Sequence, residues 1–155
     1  MKIFVMRHGE AQTIAPSDSA RPLTENGKQQ SYQQGQWLHS INAEFDKVLV
    51  SPYLRAQQTF DQVNLAFQNQ LQRKLEIWDG ITPYGDAGLV RDYLTVLEQD
   101  GVESLLIISH LPLVGDIVRE LCGRNPANFY PATLVEIEIN CAEKMGKVER
   151  INYPK

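Results

Sequence analysis

The sequence predicts an α/β fold of three layers, α/β/α, with a mostly parallel sheet flanked by helices. Short apolar runs of strand length alternate with longer segments whose apolar residues recur at helical spacing, which is the pattern of a sheet covered on both faces. Three of the runs end in polar clusters, as strands do when they lead into loops at the carboxyl edge of such a sheet. A closing pair of runs at the end of the chain reads as an antiparallel addition.

Residues 2–6 (KIFVM) read as a buried strand that runs out at Arg7 into a loop continuing to Pro22. Thr24 can cap a helix with Glu25 in its first turn; the Gln-rich stretch to Ser40 supplies a solvated face, with Trp37, Leu38 and Ile41 inward. His39 near its end suits the negative end of the helix dipole and reads as structural. Residues 47–50 (KVLV) repeat the strand pattern. Ser51-Pro52 then signals a helix start, a hydroxyl cap followed by proline, with Ala56, Thr59, Phe60, Val63 and Phe67 on one face.

Residues 75–78 form a weaker, edge-type strand, and residues 80–88 a loop. Leu89, Val90, Tyr93, Leu94 and Leu97 mark a third helix, and residues 103–109 (ESLLIIS) the most apolar strand. Pro112 opens a fourth helix with Leu113, Val114, Ile117, Val118 and Leu121 inward. Residues 134–139 and 147–153 close the chain as an antiparallel pair around a turn near Gly146. Trp37, Trp78 and the Leu/Val stripe after Pro112 are expected in the core.

The length of 155 residues fits one domain, residues 1–155, with enough burial for a sizeable core. A formal charge of −4 gives no basic excess of the kind that drives nucleic-acid binding, so any anion site must be locally basic. No apolar run is long enough to span a bilayer and MKIFVMRHGE turns polar too soon for a secretion signal, so a cytoplasmic protein without membrane contact is expected. Cys122 and Cys141 lack metal or redox spacing and read as free thiols.

Three strand ends carry the chemistry: Arg7-His8-Gly9-Glu10, then Ser51 with Arg55 one turn on, then Ser109-His110. In a parallel sheet these converge on one edge, and two of the three histidines stand there. Two guanidinium forks and a helix N-terminus make an anion site. Their positive charge disfavours protonation of His8 and leaves a lone pair able to attack phosphorus.

These residues resemble the histidine phosphatase superfamily, which shares its core with the cofactor-dependent phosphoglycerate mutases. The matching blocks are RHGE (7–10), RPLTENG (21–27), SPYLRAQQT (51–59) and SHLPLVG (109–115). The resemblance implies a phosphoglycerate mutase-like fold, His8 as phosphoryl acceptor, Arg7 and Arg55 as phosphate ligands, and His110 as the second histidine stabilising the transferring group. It also places Arg21 near the phosphate, and it implies neither cofactor nor metal. The short SixA-type protein phosphohistidine phosphatases are the nearest resemblance, on length, SDS-x-RPLT, TP-x-GD and SHLPLVG. The implied partner is a phosphorylated histidine phosphotransfer domain of a bacterial phosphorelay, met by a monomer. Residues 55–110 leave little room for a lid over the pocket.

In some relatives a carboxylate follows the second histidine and protonates the leaving group; here that position is Leu111. Asp79 and Asp86 lie where other relatives keep an acid, and both are also ordinary loop acids. Imidazole needs less help than an alkoxide, which favours P–N over P–O substrates. Outside the family pattern, His110 can be read as capping the following helix and Arg21 as a solvated loop residue. Ser51 reads as a cap, and Glu10 either orients an arginine or histidine or has no chemical role.

Among rival functions, a receiver domain needs acidic residues where Met6-Arg7-His8 stands, and a two-metal phosphoesterase needs more histidines and aspartates than two candidate histidines provide. A small-molecule phosphomonoesterase on the same core, a mutase, and a non-catalytic phosphate-binding adaptor are the remaining alternatives.

Overall fold

The structure, a computed structural model, describes residues 1–140 and 145–155; Cys141 lies outside the described residues. Six strands form one sheet: β1 (Lys2–Arg7), β2 (Lys47–Val50), β3 (Leu75–Ile77), β4 (Ser104–Ser109), β5 (Leu134–Glu138) and β6 (Lys147–Asn152). The order across the sheet is β3-β2-β4-β1-β5-β6. The first four strands run parallel, and β5 and β6 add an antiparallel flank, as expected of the closing pair. The edge reading of residues 75–78 also holds, since β3 borders the sheet.

Alternation along the strands divides the core. Ile3, Val5, Leu49, Leu105 and Ile107 face one way, against α3 (Ala87–Gln99) and α4 (Leu113–Cys122). Phe4, Met6, Val48, Val50, Leu106 and Ile108 face the other, against α1 (Glu25–Ser40) and α2 (Leu54–Ala66). Both faces of the central strands are buried, which is why these strands read as unbroken apolar runs.

Thr24 caps α1 as expected, its hydroxyl accepting from Gly27 N–H at 2.9 Å. Trp37 and Trp78 are only half-buried: Trp37 lies 5.5 Å from the Arg150 guanidinium, and Trp78 stacks at 4.5 Å on Tyr93. His39 packs edge-on against Phe67 at 5.4 Å, a structural contact. Leu89, expected inward, is exposed; the sheet-facing stripe of α3 is Val90, Leu94 and Leu97. The second helix begins at Leu54 with Tyr53 as its N-cap, two to three residues later than Ser51-Pro52 suggested.

Helix α1 approaches the loop after β1 so closely that side chains are excluded. A Cβ on Gly27 would stand 2.0 Å from the Glu10 carbonyl oxygen, and one on Gly9 2.5 Å from the Gly27 carbonyl oxygen. Gly27→Ala is therefore expected to destabilise the fold by about 2 kcal/mol, read as a lower thermal midpoint, because backbone on both sides must separate. An unchanged midpoint would mean that this contact is loose.

Candidate active site

The carboxyl ends of β1, β2 and β4 meet at one edge and bring His8, Arg55 and His110 together. His8 is fixed by its backbone: its N–H donates to Ser109 O at 3.0 Å, and its carbonyl accepts from Ala132 N–H at 2.9 Å. Gly9 N–H donates to Thr59 Oγ1 at 3.0 Å, tying the turn to α2.

His8 is 6% exposed. Its Nδ1 lies 2.7 Å from the Gly9 carbonyl oxygen, which can only accept, so Nδ1 carries the proton and Nε2 the lone pair. That Nε2 is 3.3 Å from Arg55 Nε–H. Burial, and then the positive charges of Arg7, Arg55 and Arg21, hold the His8 pKa down to about 3, against the opposing pull of the Gly9 hydrogen bond.

His110 stands with its ring centroid 5.0 Å from that of His8. Its Nε2 is 2.7 Å from Ser51 Oγ, while its Nδ1 is buried with no partner. Ser51 Oγ also accepts from Tyr53 N–H at 3.2 Å. Ser51 therefore orients a histidine and does not cap α2, a correction to the local reading. Burial, followed by His8 and Arg55, lowers the His110 pKa to about 3 as well. The Tyr53 ring meets His110 edge-on at 5.1 Å and lies 5.0 Å from the Arg55 guanidinium, so one aromatic side chain braces both.

Arg7 donates through Nη1 to Phe129 O at 2.9 Å, and its Nε is buried without a partner. Its pKa is lowered by burial and then by Arg55 and Arg21, which places all three guanidinium groups within one field. Arg21 donates to Gln12 O at 2.6 Å and to Asp18 Oδ1 at 3.0 Å.

Sequence reasoning missed Asp18. It sits in a short 3-10 turn, Asp18–Ala20, and its two carboxylate oxygens contact Arg21 and, at 3.3 Å, Arg55 Nη2. Its backbone carbonyl accepts from Arg55 Nη1 at 2.7 Å. The Arg21 hydrogen bond, with support from Arg55, lowers the Asp18 pKa, so this carboxylate is an ion and a poor proton donor. The only sign of it in the sequence was its place in the SDS-x-RPLT segment.

The other acids are exposed or engaged elsewhere. Asp79 is exposed, and Asp86 caps α3, its Oδ1 accepting from Gly88 N–H at 2.7 Å. Glu10 accepts from the Thr24 hydroxyl at 2.8 Å and from Asn26 Nδ2; it secures the start of α1 and orients neither an arginine nor a histidine. Among the described residues, no group of three or more His, Cys, Asp or Glu is placed to hold a metal ion, and no helix is long and apolar enough to cross a membrane.

Two histidine pKa values this low couple stability to pH. In the unfolded chain each histidine binds a proton near pH 6.5, whereas in the folded chain it does so only near pH 3. The unfolded state thus takes up more protons between those values, so stability is full above pH 6.5 and is lost as the pH falls. The slope is about 1.4 kcal/mol per pH unit for each histidine inside that window. Thermal melts from pH 7 to pH 4.5 should fall less steeply for His8→Ala than for the parent, and parallel curves would contradict the assignment.

A mostly parallel three-layer sheet whose strand ends gather neutral imidazole and guanidinium groups is the setting of a phosphatase, here on the phosphoglycerate mutase-like fold. Residues 3–82 match the histidine phosphatase superfamily (branch 1), and the chain belongs to that superfamily. It is 58% identical over 144 residues to the phosphohistidine phosphatase SixA homolog of Haemophilus influenzae, covering 88% of this chain and 87% of that protein. Identity to phosphohistidine phosphatase SixA of Escherichia coli is 45% over 141 residues, covering 90% of this chain and 86% of that one. Among solved structures, the protein histidine phosphatase SixA complexed with tungstate superimposes with a TM-score of 0.91 at 42% identity, covering 97% of this chain and 96% of that one.

Proposed function

We propose that the protein is a metal-independent phosphohistidine phosphatase that acts as a cytoplasmic monomer on a histidine phosphotransfer domain of a bacterial phosphorelay. The observation that carries this reading is the hydrogen bond from His8 Nδ1 to the Gly9 carbonyl, which puts a lone pair on a buried, neutral Nε2 beside Arg55. The names of the two SixA relatives support the substrate class, and the tungstate bound by a similar protein is an oxyanion of phosphate geometry.

In the first half-reaction, the His8 Nε2 lone pair attacks phosphorus, the P–Nε2 bond forms, and the P–N bond of the substrate breaks. The substrate imidazole, protonated on its distal nitrogen, leaves as a neutral ring. Arg7, Arg55 and Arg21 hold the phosphoryl oxygens through guanidinium N–H groups, supplying the positive charge that the transferring group needs. Ser51 donates its hydroxyl proton to His110 Nε2, leaving Nδ1–H to donate to a phosphoryl oxygen.

The Gly9 carbonyl acts again in the second half-reaction. With Nδ1 still protonated, phospho-His8 is a phosphoimidazolium, so when water attacks phosphorus the P–Nε2 bond breaks to regenerate neutral His8. One proton from the attacking water leaves with phosphate or solvent. Neither half-reaction calls on a strong general acid. That suits a site with Leu111 after His110, Asp86 committed to a helix cap and Asp18 held ionised.

The test is phosphate release in EDTA from a histidine-phosphorylated phosphotransfer domain, set beside an aryl phosphate ester. Rapid, EDTA-resistant release from the domain with slow turnover of the ester is expected. Turnover of the ester alone would reassign the protein as a small-molecule phosphomonoesterase. No turnover of either would leave a phosphate-binding adaptor.

A further inference from the structure

At the carboxyl edge of the sheet, four connections and the start of α2 each carry one large apolar side chain in solvent. The parallel strands β1 to β4 all end at this edge, and β5 starts there, with Leu134 opposite Met6. Ile14 lies in the loop after β1, Leu54 just after β2, Tyr84 in the loop after β3, Leu111 after β4 and Tyr130 shortly before β5. All five are exposed, Ile14 by 87% and Tyr84 by 83%. Each is tied to the site by its neighbours in the chain. Phe129 O holds Arg7, Gln12 O and Asp18 hold Arg21, and Ile81 O accepts from Ser109 Oγ at 2.7 Å.

The floor inside this rim is different in kind. The Arg7, Arg55 and Arg21 guanidinium groups share one electrostatic field, and His8 is 6% and Arg55 4% exposed. A small phosphate can reach that floor without touching the rim. A phosphorylated side chain rooted in a folded protein cannot, because its carrier must come down onto the surrounding loops. Separated exposed side chains need no explanation singly, but five apolar residues along the one sheet edge that carries the cationic groups mark a contact surface.

We infer that Ile14, Leu54, Tyr84, Leu111 and Tyr130 form an apolar docking rim. On it a folded partner protein seats the apolar surface around its phosphorylated histidine while the phosphoryl dianion meets the cationic floor. The inference rests on the phosphohistidine reading above and adds the surface that distinguishes a protein substrate from a small one. Large apolar and aromatic side chains at the centre of such contacts carry much of the binding energy.

The test compares the parent chain with Ile14→Ser, Tyr84→Ser and the double variant, on phosphoramidate and on a histidine-phosphorylated phosphotransfer domain. Both positions lie outside the catalytic groups and are too exposed to matter for folding. The double variant should lose at least about tenfold in kcat/KM on the domain, mainly through KM, and keep phosphoramidate turnover within about twofold; tenfold corresponds to about 1.4 kcal/mol. Unchanged turnover of the domain overturns the rim alone, as does an equal loss on both substrates. A parent chain that hydrolyses phosphoramidate but not the domain overturns the substrate reading and the rim with it. If the variants abolish self-association in sedimentation without affecting the domain, the rim belongs to a second copy of the chain and the inference fails.

Discussion

Replacing His8 with alanine should abolish turnover, by about four orders of magnitude or more, while leaving a folded protein that still binds inorganic phosphate. The proposed route needs Nε2 to accept the phosphoryl group, and it is this nitrogen that Arg55 Nε–H meets, at 3.3 Å. His8 belongs to neither apolar cluster of the core. Its loss empties space next to charged groups, so the change in stability should stay within about 2 kcal/mol. Phosphate release measured alongside circular dichroism separates the two effects. Activity within tenfold of the parent would remove His8 from the mechanism.

Arg55→Ala should cost about 10³-fold in kcat, because it removes both the Nε–H beside the His8 lone pair and the fork that would follow the phosphoryl oxygens into the transition state. Arg55→Lys is the informative control. A lysine restores the charge but not the planar fork, and should recover only a small part of the rate. Arg55 also holds the Asp18 carbonyl, so some loosening of the loop after β1 is expected, without a matching fall in the thermal midpoint. Losses of rate and stability in proportion across the two variants would make Arg55 a structural residue.

The parts of the fold set by burial were legible in the sequence. Strands buried on both faces show as unbroken apolar runs, and their ends place His8, Arg55 and His110 on one edge. What escaped depends on contacts across the chain. Ser51 followed by proline is a valid local signal for a cap, but its hydroxyl is engaged by His110, which is 59 residues away, and α2 starts after Tyr53. Asp18 gives no periodic signal; it reaches the arginines because a 3-10 turn and the Arg21–Gln12 bond bring the loop back to Arg55. Leu89 fits helical spacing yet lies outside the stripe that meets the sheet, since spacing alone does not say where that stripe begins. Glu10 was readable as an acid beside His8, and only the structure shows its carboxylate turned to Thr24 and Asn26.

A double displacement through phospho-His8 is tested most directly by the stereochemistry at phosphorus. A phosphotransfer domain carrying a chiral, isotopically labelled thiophosphoryl group on histidine would be hydrolysed in labelled water and the released thiophosphate analysed. Two in-line displacements, first by His8 Nε2 and then by water, predict net retention of configuration. Net inversion would mean that water attacks the substrate directly, with His8 only binding the group that is transferred.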